Sequence, residues 1–261
     1  MSGVRGPGGT GGPGGPGGRR LIGVGVGPGD PELVTVKAVR VLREAGAIVV
    51  PVMAGAPDGS GRAEATVLAY VAPDRIVRAP FALDDTGGVT ARRARAWDDA
   101  ARVVLAALDG GAASVAFATI GDPNVYSTFA YLAQTVRALD PTVEVSTVPG
   151  ITAMQDLAAR SGTVLAEGRE PLTLVPLTAG VDVLDAGLAG PGTVVAYKGW
   201  RRMEGVRAAI ERHGRTGDAV VGSGLGMPGE WIGRLGDVPG PLPYLSTVLV
   251  PPRRSGRGEK L

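Results

Sequence analysis

Gly23-Val24-Gly25-Val26-Gly27-Pro28-Gly29-Asp30-Pro31 joins a short apolar run over 21–26 to a helical pattern that begins at Pro31. A glycine-rich turn between strand and helix lets backbone approach a ligand closely, as in dinucleotide-binding folds. Two residues argue against phosphate here. Pro28 has no N–H to offer an anion. Asp30 puts a carboxylate at the helix start, where it caps the helix and complements its dipole, with Pro31 at the first helical position. An anion would meet that negative charge instead of an open site. The turn suits a neutral or cationic adenosyl ligand, or it is a tight strand-to-helix connection with no ligand. Taken alone it does not decide between them.

Outward from this turn, apolar strand patterns alternate with helical ones. Strands are predicted over 21–26, 48–52, 76–79, 114–118 and 143–148, and helices over 31–45, 63–71, 91–108 and 125–139. Ala38, Val41, Leu42 and Ala45 recur at helical spacing. Continuously apolar strands between helices indicate a parallel sheet covered on both faces. A second set follows, with strands over 173–177, 193–197, 219–223 and 246–250 and a helix over 203–213. Glycine- and proline-rich turns between the last strands favour a mixed sheet. The fold class is α/β in two domains, 21–148 and 149–252, with the active site in the cleft between them. A Gly/Pro-rich tail over 1–20 and a basic tail over 253–261 flank them, both too poor in apolar residues to order themselves.

Composition removes several function classes. The chain has no cysteine, so disulfides, thiolate nucleophiles and Cys-held metals are excluded, and no metal site is expected. No apolar run is long enough to span a bilayer, and the start lacks a secretory signal pattern, which together read as a cytoplasmic protein without a membrane partner. The pI of about 9.1 suggests nucleic acid, but each tail carries three net positive charges and residues 21–252 sum to −4. A basic nucleic-acid groove is therefore not expected.

Two later motifs join the first turn. Gly121-Asp122-Pro123 closes one predicted strand, and Val148-Pro149-Gly150-Ile151-Thr152-Ala153 closes another. With Gly27-Pro28-Gly29-Asp30, this ordered trio resembles the tetrapyrrole methylase family over nearly all of 21–252. The segment 122–132, Asp-Pro-Asn-Val-Tyr-Ser-Thr-Phe-Ala-Tyr-Leu, and the closing run 243–250 are similar to the branch that methylates precorrin-2 at C(20). The resemblance implies a homodimer that binds S-adenosyl-L-methionine between the domains and a polycarboxylate tetrapyrrole, precorrin-2, as acceptor. By motif, the cofactor contacts would be Pro28, Ile120, Gly121, Asp122, Val125, Thr152 and Ala153, with looser matches at Leu177, Lys198 and Leu225.

Departures from the family are informative. The uroporphyrinogen branch carries an acid at the end of the second strand, where this chain has Pro51, so no general base is inherited there. Residues 222–230 replace the family's frequent charged residues with a glycine-rich loop. Methyl transfer from a sulfonium needs no covalent intermediate, and most of the catalysis comes from alignment in a dry site. Tyr126, Asp122 and Asp30 are the candidates for moving the ring proton. Arg78, Arg92, Arg93, Arg201 and Arg202 are candidates for the acceptor's carboxylates. His213 reads as a helix C-terminal dipole partner, and Trp97, Trp200 and Trp231 as packing anchors. Competing readings are a methylase of cobalt-precorrin-2, another tetrapyrrole methylase acting at a different precorrin position or on a non-porphyrin acceptor, a non-catalytic binding module, and tail-mediated nucleic-acid binding.

Overall fold

The structure is a computed structural model that describes residues 18–53, 61–85, 88–198, 202–240, 242–243, 245–254, 256 and 258. Its first half is a five-stranded parallel sheet built from β1 (Arg20–Gly25), β2 (Ala47–Met53), β3 (Ile76–Phe81), β4 (Ser114–Thr119) and β5 (Glu144–Val148), in the order β3-β2-β4-β1-β5. The helices between them are α1 (Val36–Glu44), α2 (Arg62–Val67), α3 (Ala91–Asp109) and α4 (Phe129–Leu139). Alternation along the strands fills two cores. Leu21, Val49, Val115 and Phe117 face α3 and α4, whereas Ile22, Val24, Ile48, Val50 and Ala116 face α1 and α2.

The second half is a mixed sheet of β6 (Leu172–Pro176), β7 (Thr193–Tyr197), β8 (Val220–Ser223), β9 (Trp231–Arg234) and β10 (Ser246–Val250), ordered β6-β7-β10-β8-β9. Only β6 and β7 pair in parallel; the other ladders are antiparallel. Helices α6 (Val181–Leu188) and α7 (Met203–Arg212) cover one face through Leu184, Leu188, Val206 and Ile210. The other face belongs to α5 (Ala153–Ser161), whose Leu157 and Ala158 pack with Val195, Val220 and Leu249. Because α5 follows directly from β5, the chain passes from the first sheet onto the second through the Pro149–Thr152 turn.

Several local expectations change. The predicted first helix divides in two: Asp30 caps a short 3-10 turn, Pro31–Leu33, and Thr35 caps α1 by accepting from the Ala38 amide at 3.1 Å. Pro51 is tolerated inside β2 because the β2–β4 ladder runs only through Val49, so its missing N–H falls beyond that pairing. Arg19 and Arg20, read as tail, belong to the fold: Arg20 opens β1, and Arg19 reaches Asp109 at 2.6 Å and Asp140 at 2.9 Å. Arg254 likewise folds back onto Glu170 and the Val164 carbonyl. The Gly/Pro stretch up to residue 17 lies outside the described residues, as do Trp200 and Arg201. Trp97 stacks on Tyr131 at 4.6 Å, and His213 ends α7 with Nε2 at 3.2 Å from Asp185.

Candidate active site

The three glycine turns follow β1, β4 and β5, which are adjacent in the sheet, so they meet at its carboxyl edge. Gly27 and Gly121 pair as an isolated bridge, with the Gly121 amide donating to the Gly27 carbonyl at 2.8 Å. A Cβ on Gly25 would stand 2.5 Å from the Gly121 oxygen and 2.6 Å from the Gly150 nitrogen. One on Gly150 would stand 2.1 Å from the same oxygen. Only backbone without side chains packs this closely.

The glycine-rich loop after β8 closes on the first turn. A Cβ at Gly29 would meet the Leu225 carbonyl oxygen at 2.2 Å, and one at Gly226 would meet the Asp30 nitrogen at 2.1 Å. Thr66 of α2 donates from its hydroxyl to the Gly29 carbonyl at 3.2 Å. Glu230 holds the new loop from within: its carboxylate accepts from the Gly226 amide at 2.6 Å and pairs with Arg160. Sequence reading expected backbone contacts from this loop and missed the side-chain brace.

Asp122 links two turns. Its Oδ1 accepts from the Asn124 amide at 2.8 Å and its Oδ2 from the Gly150 amide at 3.0 Å. The residues after it are pinned by Ser127, which bonds Thr119 at 3.0 Å and accepts from the Phe129 amide at 3.1 Å. Thr152 is buried, and both its amide and its hydroxyl donate to Gln155 Oε1, at 2.8 and 2.9 Å. On the left-handed side of Gly121 the space is open as far as Thr152 Cα at 4.0 Å.

Leu177 and Leu225 are buried, with side chains in the cores of the second half, so their side chains are not available to a ligand. Pro28 is buried within the first turn, whereas Ile120, Val125, Ala153 and Lys198 keep partial exposure. Among the proton-transfer candidates, Asp30 accepts from the Glu32 amide at 2.9 Å as a cap. Tyr126 is a poor base, because burial raises its phenol pKa and keeps it protonated near neutral pH; it is suited to donate. Its ring stands 5.6 Å from that of Tyr197 and 5.7 Å from Lys198 Nζ. The Tyr197 hydroxyl is fully enclosed. Burial raises its pKa, and Thr152 and the Met154 backbone pull it back, yet neither reaches it with hydrogen-bond geometry.

The predicted arginines do not all converge. Glu64 takes Arg78 in a bidentate pair at 2.7 and 2.9 Å, which holds the Glu64 carboxyl below its usual range. This pair lines an open depression with Pro73, Ile76 and Val77. Ile76–Arg78 begin β3, so the depression lies at the end of the sheet opposite the glycine turns. Arg92 pairs with Asp84 at 3.0 Å, and Arg202 is exposed before α7. Arg93 alone among the four described candidates lies near Lys198, close enough to repel its charge.

Asp156, in the first turn of α5, escaped sequence reading because an acid there looks like an ordinary dipole partner. Its carboxyl is buried, and Oδ2 has no hydrogen bond and only Arg160 at 3.8 Å. Burial raises its pKa; Arg160 opposes this, while Glu230 and Asp30 add to it. With the folded-state pKa above the unfolded one, the folded chain binds the extra proton, so stability falls as pH rises through that interval. Asp156→Asn is therefore expected to raise the urea midpoint at pH 7 relative to the parent. The gap should close as pH drops towards the ordinary aspartate range. A variant less stable at pH 7 would mean that the Arg160 pairing outweighs burial.

Known proteins match this architecture. The chain is 33% identical over 240 residues to a precorrin-2 C(20)-methyltransferase from Sinorhizobium sp, covering 89% of this chain and 95% of that protein. It is 30% identical over 235 residues to a cobalt-precorrin-2 C(20)-methyltransferase from Salmonella typhimurium, covering 88% and 95%. Against the cobalamin biosynthesis protein CobIJ of Mycobacterium tuberculosis the identity is 31% over 239 residues; the match covers 88% of this chain, which spans about half of that longer protein (46%). Among solved structures, a cobalt precorrin-4 methyltransferase superposes with a TM-score of 0.66 at 19% identity over 89% of this chain and 94% of its own, a likeness of fold. The uroporphyrin-III C-methyl transferase of Thermus thermophilus, solved in complex with S-adenyl homocysteine, gives 0.60 at 25% identity over 88% and 96%. The sequence model of the tetrapyrrole (corrin/porphyrin) methylases matches residues 20–238, so with the glycine turns brought together as described, the chain belongs to that family.

Proposed function

We propose that the chain is an S-adenosylmethionine-dependent methyltransferase that methylates precorrin-2 at C(20), giving precorrin-3A in cobalamin biosynthesis. The observation that carries this reading is the character of the junction. Bare backbone from three strand ends meets a fourth glycine loop, and the charged side chains around it include Asp30, Asp122, Asp156 and Glu230, with Arg160 beside the last two. An acidic surround repels a pyrophosphate and favours a sulfonium and an ammonium group. The opening beside Gly121 supplies the close backbone approach that such a ligand needs. Likeness to precorrin-2 and cobalt-precorrin-2 C(20)-methyltransferases over about nine-tenths of the chain supports the choice of acceptor.

In this reading Pro28, Ile120, Gly121, Asp122, Val125, Thr152, Ala153, Leu177, Lys198 and Leu225 hold the cofactor, Leu177, Lys198 and Leu225 through backbone. The cofactor supplies a methyl group already activated on sulfur. What the chain adds is position. Asp122 locks the second and third turns together, Glu230 braces the fourth loop and ties it to Arg160 of α5, and the Tyr126 ring stands edge-on to the half-buried Tyr197 ring on the acceptor side. The protonated Tyr126 hydroxyl donates to a polar group of the acceptor and does not act as base. A homodimer working in the cytoplasm belongs to the same proposal; among the described residues, no helix is long and apolar enough to cross a membrane.

The test is incubation of the full chain with S-adenosylmethionine and precorrin-2, and in parallel with its cobalt complex. Mass spectrometry and NMR of the product should reveal one added methyl, at C(20). The acceptor that turns over faster identifies the natural form. A methyl elsewhere on the ring, or none with either acceptor, would reject the assignment.

A further inference from the structure

Two residues other than glycine have left-handed backbone among the described residues, Tyr126 at φ 51° and Lys198 at φ 62°, and the Lys198 ammonium stands over the Tyr126 ring, 5.7 Å from its centre. Strained backbone of this kind persists where surrounding structure holds a side chain in a required place. Lys198 follows β7 directly and Tyr126 follows β4, so the end of each sheet contributes one of the pair.

The charge balance around Lys198 is unusual. Its ammonium is half-buried and has neither a carboxylate nor a hydrogen-bond acceptor among the described residues. Among the described residues, the one charged group that bears on it is another cation, Arg93, near the start of α3. The acids on the adjoining loop are engaged elsewhere: Asp84 pairs with Arg92 at 3.0 Å, and Asp85 accepts from the Thr90 hydroxyl. The Tyr126 ring attracts the ammonium without neutralising it. Burial, assisted by Arg93, holds the lysine below its ordinary pKa. Buried charges in proteins are normally paired. Among the described residues these two cations have no counter-charge, Arg93 donating only to the Gly88 carbonyl at 2.6 Å, which leaves room for an anion brought by a ligand.

We propose that the side chains of Lys198 and Arg93 together bind a peripheral carboxylate of the acceptor, with the Tyr126 ring packed against the macrocycle beside it. This rests on the methyltransferase reading above and assigns the Lys198 side chain to the acceptor, leaving its backbone to the cofactor. A flat conjugated ring bearing carboxylates at its rim matches an aromatic wall with cations at its edge.

Uroporphyrin III, an octacarboxylate porphyrin, is the probe, and S-adenosylhomocysteine the control ligand, each titrated into the full chain by fluorescence or calorimetry. Lys198→Met should weaken uroporphyrin binding by roughly tenfold and Arg93→Met by several-fold, each with a clearly smaller effect on S-adenosylhomocysteine binding. Lys198→Arg should keep most of the affinity. The octamethyl ester should bind parent and variants alike. Lys198→Gly separates strain from function: it relieves the left-handed backbone, so its melting temperature should hold or rise while uroporphyrin affinity falls as in Lys198→Met. Uroporphyrin affinity within twofold of the parent in Lys198→Met, an equal loss of S-adenosylhomocysteine affinity, or a parent that binds S-adenosylhomocysteine and no porphyrin would each overturn the proposal. A parent that binds neither ligand would instead overturn the methyltransferase reading on which it rests.

Discussion

Gly150→Ala is expected to weaken S-adenosylhomocysteine binding by roughly tenfold or more and to lower stability by about 2–3 kcal/mol. The reason is steric and local. The added methyl would stand 2.1 Å from the Gly121 carbonyl oxygen and 2.8 Å from the Gly25 backbone, and neither neighbour is a flexible side chain that could swing away. Relief requires the third turn to move off the other two. That movement stretches the Gly150 amide bond to Asp122 Oδ2, now 3.0 Å, and shifts the Thr152 cap that begins α5. A displacement near 1 Å at a site that works by alignment costs rate and affinity out of proportion to its size. Gly217→Ala is the control, since a Cβ there meets nothing within 4 Å, and it should leave both quantities unchanged. Isothermal titration and thermal melts of both variants give the comparison. Cofactor affinity in Gly150→Ala equal to the parent's would show that the packed turns are scaffold and the ligand lies elsewhere.

That these turns matter was legible in the sequence; why they meet was not. Each motif sits at the end of an apolar run, and the periodicity located those runs within a residue or two, as with β7 at Thr193–Tyr197 and β10 at Ser246–Val250. Convergence depends on strand order, and nothing in the local pattern places β1 between β4 and β5. The resemblance supplied that step. Other features were hidden for separate physical reasons. β9 is four residues, Trp-Ile-Gly-Arg, too short to show alternation. α6 opens on Gly180 and contains Gly187, both poor helix signals, and its stability comes from packing Leu184 and Leu188 on the sheet. Asp156 and Glu230 carry no signal in the sequence, because burial and pairing are tertiary properties. Lys198 was found only as a loose family match; its left-handed backbone and missing counter-charge needed coordinates.

Arg215 carries the other large expected effect, and it lies away from the chemistry. The residue is 8% exposed, and its guanidinium donates to four backbone carbonyls: Val250 at 2.6 Å, Gly192 at 2.7 Å, Pro251 at 3.3 Å and Leu188 at 3.4 Å. These carbonyls end α6, precede β7 and close β10, so one side chain ties three elements at the end of the second sheet opposite Lys198 and Ser223. Burial lowers the arginine pKa and the charge of Asp218 raises it, but a guanidinium remains protonated in any case. Arg215→Ala removes the donors and strands four acceptors in a dry setting, a loss of about 3–5 kcal/mol by analogy with broken buried charge networks. For a chain of this size that corresponds to a fall in melting temperature of roughly 10 °C or more. Arg215→Lys keeps the charge but cannot reach in four directions, so it should fall between the two. Because the staple is remote from the glycine turns, the folded fraction of Arg215→Ala should bind S-adenosylhomocysteine as tightly as the parent, a pattern opposite to that of Gly150→Ala. A loss under about 1 kcal/mol would mean that water enters and satisfies the carbonyls.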